Sequence, residues 1–426
     1  MVFARGCLVL GWVVACKFTP PTVTSDGGPD APADVPPDVA DAPDLCTTWD
    51  AEHFEPCVVG SPQPAPELTA GSSPYTYNTT TSGGTLTDRL NAVIATSTVT
   101  VTQPDATMVA LWNVASLDVP AGVVINVIGD KPLIIASWDT VALQGTIDAG
   151  SHTAEIDGTA GIDATVQLGA GASTAVCTTL VGTPGNEGVG TGGSGGGGGG
   201  GFGGVGAAGS LGDTGSGDVG GGAGGMTLVP TAIRAGCAGG ISGAAGTGAV
   251  QAPATATSFA NAGAGGGAIV VAARNSITVA ATGRLLAGGG GGAGSPQGSA
   301  CGGGGGGSGG YVGLDAPTIT VIGLGVVAAN GGGGGGSSGF ANEGAQGSDG
   351  EASEQRAAGG AALPDPDCGE RGGRGGAGPA GSAGGETNLV TDECGGGGGG
   401  GGTGHVLVWA TTFSHPGVVS PDPQQP

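Results

Sequence analysis

The stretch Ile269-Val-Val-Ala-Ala-Arg-Asn-Ser-Ile277-Thr-Val-Ala-Ala-Thr-Gly283-Arg-Leu-Leu-Ala287, followed at once by Gly288-Gly-Gly-Gly-Gly292, carries the pattern from which an architecture follows. Three short apolar phrases are separated by turn residues, and none is long enough to make a helix. Apolar side chains recur at every second position, as in Ile269/Val271, Ile277/Val279 and Leu285/Ala287, which is the period of a strand with one buried face. The phrase therefore reads strand, turn, strand, turn, strand, and then gives way to glycine.

Two other segments repeat it. One runs Leu133-Ile-Ile-Ala-Ser, then Val141-Ala-Leu-Gln-Gly145-Thr-Ile-Asp-Ala149; the other Val312-Gly-Leu-Asp-Ala, then Ile319-Thr-Val321 and Gly325-Val-Val-Ala-Ala329. Ile269 and Val312 are 43 residues apart, and His405-Val-Leu-Val-Trp409 begins 94 residues after Tyr311, close to two further intervals of that size. Periods of this length mark stacked repeats. Upstream, Thr98-Val-Thr-Val-Thr102, Thr107-Met-Val-Ala-Leu-Trp112, Ser116-Leu-Asp-Val119 and Gly122-Val-Val-Ile-Asn-Val127 read as the first coils, without glycine runs. The expected fold is all-β: a right-handed parallel β-helix with long polyglycine excursions, each coil adding one or two small inward side chains per sheet.

Glycine fills 101 of 426 positions, in runs such as 195–201, 302–307, 331–336 and 395–402. A polyglycine run buries no side chain, and ordering it costs more backbone entropy than ordering any other sequence. The runs can stay flexible, stack as turns on neighbouring coils with positive φ where needed, or bundle as polyglycine-II helices whose amides point sideways to neighbours. Cys301 and Cys394 each stand directly before a run, which suggests equivalent places in the repeat.

Charged residues make up 10% and aromatics 4%, with 10 Lys plus Arg against 34 Asp plus Glu and a formal net charge of −24. Such a chain repels phosphate backbones, so nucleic-acid partners are not expected. The 38% apolar content is mostly Ala and Val, which suits a thin layered core and not a large globular one.

The first residues, Met1 to Cys16, carry one basic residue, Arg5, then a short apolar stretch ending Val13-Val14-Ala15-Cys16. That is the layout of a signal peptide, and it is too short to span a bilayer. Its end resembles a bacterial lipobox, which implies lipidation of Cys16, and Lys17 in place of an aspartate favours outer-membrane or cell-surface placement over the secreted alternative. Residues 16–45, rich in Pro and Ala with aspartates at 26, 30, 34, 38, 41 and 44, cannot bury a core and read as a disordered tether of up to roughly 90 Å. The expected divisions are a signal peptide over 1–15, this linker over 16–45, a small loop region over 46–84, the glycine-rich β-helical domain over 85–415 and a disordered tail over 416–426.

In an oxidising compartment the cysteines read as disulfides. Cys46 and Cys57 bracket a short loop containing Trp49 and His53 and form the expected pair. The pairing of Cys177, Cys237, Cys301, Cys368 and Cys394 stays open. No C-x₂-C pair exists and His53, His152, His405 and His415 are scattered, so neither a metal nor a cofactor is expected.

Patterns that carry chemistry are sparse. Glycine-rich stretches contain G-x-G-x-x-G matches, but none follows a strand and opens a helix. Gly215-Ser-Gly-Asp218-Val-Gly-Gly echoes one turn of a calcium-binding nonapeptide that needs stacked copies. Arg371 and Arg374 form an RGG-like segment in an acidic, exported chain. Asp148, Glu155, Asp157 and Asp163 with His152 would be the carboxylates of a carbohydrate-active β-helix enzyme, though they read more simply as a hydrophilic loop. Trp112 and Trp138 are a sugar platform or, more simply, packing residues.

The lipobox, the Asp/Pro tether, the Cys46 to Cys57 loop with His53-Phe-Glu-Pro-Cys57, and the glycine-run-plus-strand repeat together resemble the glycine-rich predicted lipoproteins of myxobacteria, and are similar to PE-PGRS proteins in composition only. The resemblance implies no residue-level activity. The reading is a surface or extracellular-matrix protein with a structural or adhesive role and no catalysis, held to the membrane by its lipid, with envelope or matrix polysaccharide as a partner. The alternatives are the carbohydrate-active enzyme and a calcium- or glycan-binding module.

Overall fold

The computed structural model describes residues 45–154, 165–172, 177–189, 192–213, 218–246, 259–296, 300–337, 343–361, 373–376, 381–385 and 394–426. The chain divides into Met1–Leu45 and Cys46–Pro426. The stretch read as a signal peptide, Cys16 and nearly all of the stretch read as a tether lie outside the described residues.

The described part is all-β. Five strand triplets follow one another: β5 Met108–Val114, β6 Leu117–Val119 and β7 Val124–Ile128; β8 Leu133–Ser137, β9 Thr140–Leu143 and β10 Thr146–Asp148; β15 Ala268–Ala273, β16 Ser276–Val279 and β17 Arg284–Leu286; β18 Tyr311–Asp315, β19 Thr318–Val321 and β20 Val326–Ala328; and β21 His405–Trp409, β22 Thr412–Ser414 and β23 Val418–Ser420. The first strands pair parallel in a six-stranded sheet, the second in a five-stranded sheet and the third in an eight-stranded sheet. Four strands precede the triplets: β1 Tyr75–Asn78, β2 Gly84–Thr87, β3 Val93–Ser97 and β4 Thr100–Thr102. Two small antiparallel pairs, β11 His152–Ala154 with β12 Thr165–Gln167 and β13 Gly212–Asp213 with β14 Asp218–Val219, lie in the long connection between β10 and β15.

The register puts like on like. Trp112, Ile135, Val271, Leu314 and Val408 form one rung through the first strands. Leu117, Val141, Ile277, Ile319 and Phe413 form another through the second strands, and Ile125, Ile147, Leu285, Val327 and Val419 a third. All of these but Phe413, which packs against it, lie in one buried core. Each short strand offers one to three side chains to it, and apolar burial at about 25 cal/mol per Å² accumulates layer by layer.

Sequence and structure part company at three places. The first strands do not have a single buried face: β8 and β15 are buried throughout, because Leu111, Ile134, Val270 and Leu407 on the opposite face enter a second core with Trp49, Phe54, Phe202 and Ile233. Across the 94-residue interval no coil is stacked between β18 and β21, since Tyr311 pairs directly with His405; Leu133 likewise pairs with Ile269 across 136 residues. What repeats is the triplet, with insertions of unequal length. Thr100–Thr102, read as an early coil, instead pairs antiparallel with β5 and closes that edge.

Two expected boundaries also move. Tyr75–Asn78 pairs parallel with β7, and Tyr75 and Tyr77 are fully buried, so the folded strands begin before residue 85. The segment 416–426, expected to be disordered, carries β23 on the third sheet and returns Gln424 to β21, where Val408 N–H donates to Gln424 O and Gln424 N–H to Val406 O, both at 2.9 Å.

The long insertions all leave from the same corner, after β10, β17 and β20, and re-enter at the next first strand. There the glycine runs hydrogen-bond to one another with a three-residue rhythm. In the buried run 195–201, Gly195 and Gly198 N–H donate to Asn186 and Thr183, Gly196 and Gly199 to Ser210 and Ala207, and Gly197 and Gly200 to Gly303 and Gly306, at 2.8–3.0 Å. Its carbonyls accept from three further segments: Gly243 and Gly240, Gly222 and Gly225, and Gly399 and Gly402. With Gly201 N–H donating to Leu180 at 2.8 Å, every N–H of the run is satisfied away from water, which is what makes the order affordable. The flexible alternative does not describe these runs.

A Cβ built on Gly197, Gly198, Gly199 or Gly200 would overlap a carbonyl of an adjoining segment. Glycine is needed here for close approach and not for backbone freedom, because the positive φ values fall elsewhere, as at Gly122 and Gly323 in turns between second and third strands. Runs 302–309 and 395–402 lie parallel in matching register, with Gly303, Gly306 and Gly309 N–H donating to Gly396, Gly399 and Gly402, so Cys301 and Cys394 do occupy equivalent places.

Candidate functional site

Cys46 and Cys57 are joined by a disulfide, and a second joins Cys177 to Cys237; Cys394 is disulfide-bonded as well, and Cys301 is buried. The Cys46–Cys57 loop packs on the outward face of the first sheet. Trp49 stands edge-to-face with Phe54 at 5.1 Å and with Trp138 at 5.5 Å. Trp138 Nε1 donates to Asn113 Oδ1 at 2.6 Å, and Asn113 Nδ2 donates to the carbonyl of Gly60 at 3.0 Å. These contacts fix the loop against β5 and the turn after β8.

That docking aims its polar residues at the far ends of β18 and β21, where Asp315 and Trp409 are register partners. Glu52 N–H donates to Asp315 Oδ2 at 2.9 Å, and the His53 ring meets Trp409 at 4.5 Å, nearly perpendicular. Arg274, just after β15, donates through Nη2 to Thr48 Oγ1 at 2.9 Å. Between them opens a cleft of about 370 Å³ lined by Asp50, Glu52, Arg274, Asp315 and Trp409. A second cleft of about 520 Å³ shares Glu52 and Trp409 and is walled by His53, Tyr311 and Ile233.

Burial sets the protonation behaviour here. Asp315 is pushed up to about 6, first by desolvation and then by the charges of Glu52 and Asp50, against the lowering effect of the Glu52 N–H. Desolvation takes His53 down to about 4, so its imidazole is neutral near pH 7. Burial, with the Glu52 charge behind it, raises the Tyr311 phenol.

The residues singled out from sequence have other surroundings. His152 lies between Asp148 and Asp349, 3.0 Å from each, and those two carboxylates raise it to about 10. Asp349 also accepts from the N–H of Thr153 at 3.1 Å and of Gly291 at 2.9 Å, so the group pins the segment around 349 to the glycine array. Asp148 is thus a structural partner; Glu155, Asp157 and Asp163 lie outside the described residues, as does Arg371. Trp112 is fully buried against Tyr77 at 5.0 Å and is no surface platform, whereas Trp138 is half-buried, packed edge-to-face on Trp49. His405 is 3% exposed against Phe202. Among the described residues, no group of three or more His, Cys, Asp or Glu could hold a metal ion.

Sequence reading passed over Asp315, Glu52 and Trp409. The one available signal was an aspartate ending an apolar strand phrase, Val312-Gly-Leu-Asp315-Ala, where its two analogues have Ala136 and Ala272. No family model, curated protein or solved structure matches the chain.

Proposed function

We propose that this chain is a surface-tethered structural or adhesion lipoprotein, whose body is a right-handed parallel β-helix carrying a polyglycine-II bundle and whose lipid sits on Cys16. The reading rests chiefly on the cross-bonded glycine array. Rows of backbone hydrogen bonds running through several insertions at once give a stiff body with few reactive side chains, as a load-bearing or spacing element at a cell surface requires. The three-residue rhythm, the absence of Cβ atoms and segments of both polarities fit polyglycine-II packing. The signal-like start, the lipobox at Cys16 and the acidic Pro-rich segment supply export, anchor and tether. No helix among the described residues is long and apolar enough to cross a membrane.

The test is replacement of Cys16. In a bacterial host, Cys16→Ser should abolish incorporation of radiolabelled fatty acid and move the protein from the outer-membrane fraction to the soluble one. Unchanged labelling, or membrane retention of the variant, would defeat the anchor.

A second reading, the glycan-binding module, is favoured by one feature: the cleft where Asp50, Glu52 and Asp315 meet Trp409. It is compatible with an adhesive role and bears no catalytic claim.

A further inference from the structure

We propose that the cleft between the Cys46–Cys57 loop and the ends of β15, β18 and β21 binds an amino sugar, its protonated amine held by Asp315 in the field of Asp50 and Glu52 and its ring laid against Trp409.

Asp315 is 6% exposed, yet among the described residues the hydrogen bond from Glu52 N–H to Oδ2 is the one it receives. A carboxylate this buried ordinarily has a cation or several donors. Both neighbouring carboxylates come from the docked loop and aggravate the charge. Arg274 is the one basic residue lining the cleft, and its Nη2 is engaged with Thr48. His53 is neutral and contributes no charge. Three carboxylates and one guanidinium line the cleft, which leaves a site that gains from an added positive charge.

The shape says what carries that charge. The volume of about 370 Å³ falls within the roughly 300–1,000 Å³ of small-molecule pockets. A bare metal ion is disfavoured, since among the described residues no acidic group has metal-holding spacing. Trp409 is partly exposed and borders both clefts, so an indole surface is available to the apolar face of a pyranose, and an ammonium beside it gains further from the ring. The remaining carboxylate oxygens would accept sugar hydroxyls, and Arg274 would donate to them. The second cleft, which shares Glu52 and Trp409 with the first, would take the next residue of an oligomer.

This gives the adhesive reading a ligand and rests on that reading only for its setting at the cell surface. Binding is measured in solution on the full chain, so it stands or falls apart from the Cys16 anchor. In isothermal titration calorimetry at 0.15 M salt, a glucosamine tetramer should bind, and the N-acetylglucosamine tetramer should bind at least about tenfold more weakly. Asp315→Asn and Trp409→Ala should each weaken the glucosamine tetramer about tenfold or more while circular dichroism and melting stay cooperative. Absence of binding, or equal affinity for the two tetramers, would overturn the proposal. So would affinity untouched by Asp315→Asn, which would be general attraction to a chain of net charge −24. Tetralysine binding as tightly as the glucosamine tetramer would overturn the sugar.

Discussion

A methyl group at Gly199 has nowhere to go: it would overlap the carbonyl of Gly400, a backbone atom already committed to the array. Gly71 is the contrast, with nothing near its would-be Cβ. We expect Gly199→Ala to destabilise the protein by about 1–3 kcal/mol or more, as overpacking does, and Gly71→Ala to stay within about 0.5 kcal/mol, both read from thermal or denaturant unfolding. Asp315 behaves in the opposite sense. Its folded-state pKa, about 6, lies above the unfolded value, so the folded state binds the extra proton between about pH 4 and 6 and stability from this group falls as pH rises through that window. His53, lowered to about 4, contributes the reverse slope between about pH 4 and 6.5. In Asp315→Asn the falling component vanishes, and the variant should be more stable than the parent at pH 7 by about 1 kcal/mol while matching it near pH 4. A neutral-pH loss of stability would show that the carboxylate has a partner that offsets its burial. A residue held at a cost to stability is what a binding site produces.

At the scale of elements, the Cys46–Cys57 loop and the strand triplets differ in how much of them could be read in advance. The triplets were legible because β16 and β19 alternate as half-buried strands do, with Ile277/Val279 and Ile319/Val321 inward. Their first strands were legible as strands but not as doubly buried ones, since the cover on the outer face comes from Trp49, Phe54, Phe202 and Ile233, far away in sequence. The loop's closure could be read from its cysteines; its docking through Trp49 and Trp138 could not. With its ends 11 positions apart, the disulfide should contribute about 2–3 kcal/mol to holding the loop closed. Replacing Cys46 and Cys57 together by serine is expected to lower stability by up to that amount. It should also raise quenchable Trp fluorescence as Trp49 and Trp138 become solvent-accessible, with little change in the far-ultraviolet signature of the strands. Unaltered quenching would mean that the aromatic contacts hold the loop by themselves.

At the scale of the whole described body, order is shared between side chains and bare backbone. The strand core stacks one to three apolar residues per strand, while the glycine array uses backbone pairing in a place where an unpaired amide would be costly. The amides of 195–201 donate to three segments while their carbonyls accept from three others, so opening the run requires many bonds to break together. Hydrogen exchange should therefore protect 195–201 and 302–307 about as well as β15 and β18, with factors of at least about 10³, whereas a flexible glycine linker would exchange at the random-coil rate. Mass-spectrometric exchange on peptides spanning these runs decides it.

What the sequence determined by itself was whatever depends on neighbours along the chain: strand triplets from alternation and turn residues, closure of the Cys46–Cys57 loop from its spacing, and an acidic, glycine-laden character from composition. It also marked every glycine run as a place where backbone alone would have to find partners. Only tertiary structure decided which partners, because hydrogen bonds such as Gly197 to Gly303 and Gly399 to Gly197 join insertions about one or two hundred residues apart and leave no local signature. The same holds for the cleft. Asp315, Glu52 and Trp409 come from separate elements, and their meeting is set by where one small loop docks on a sheet, a matter of packing that periodicity and spacing do not encode.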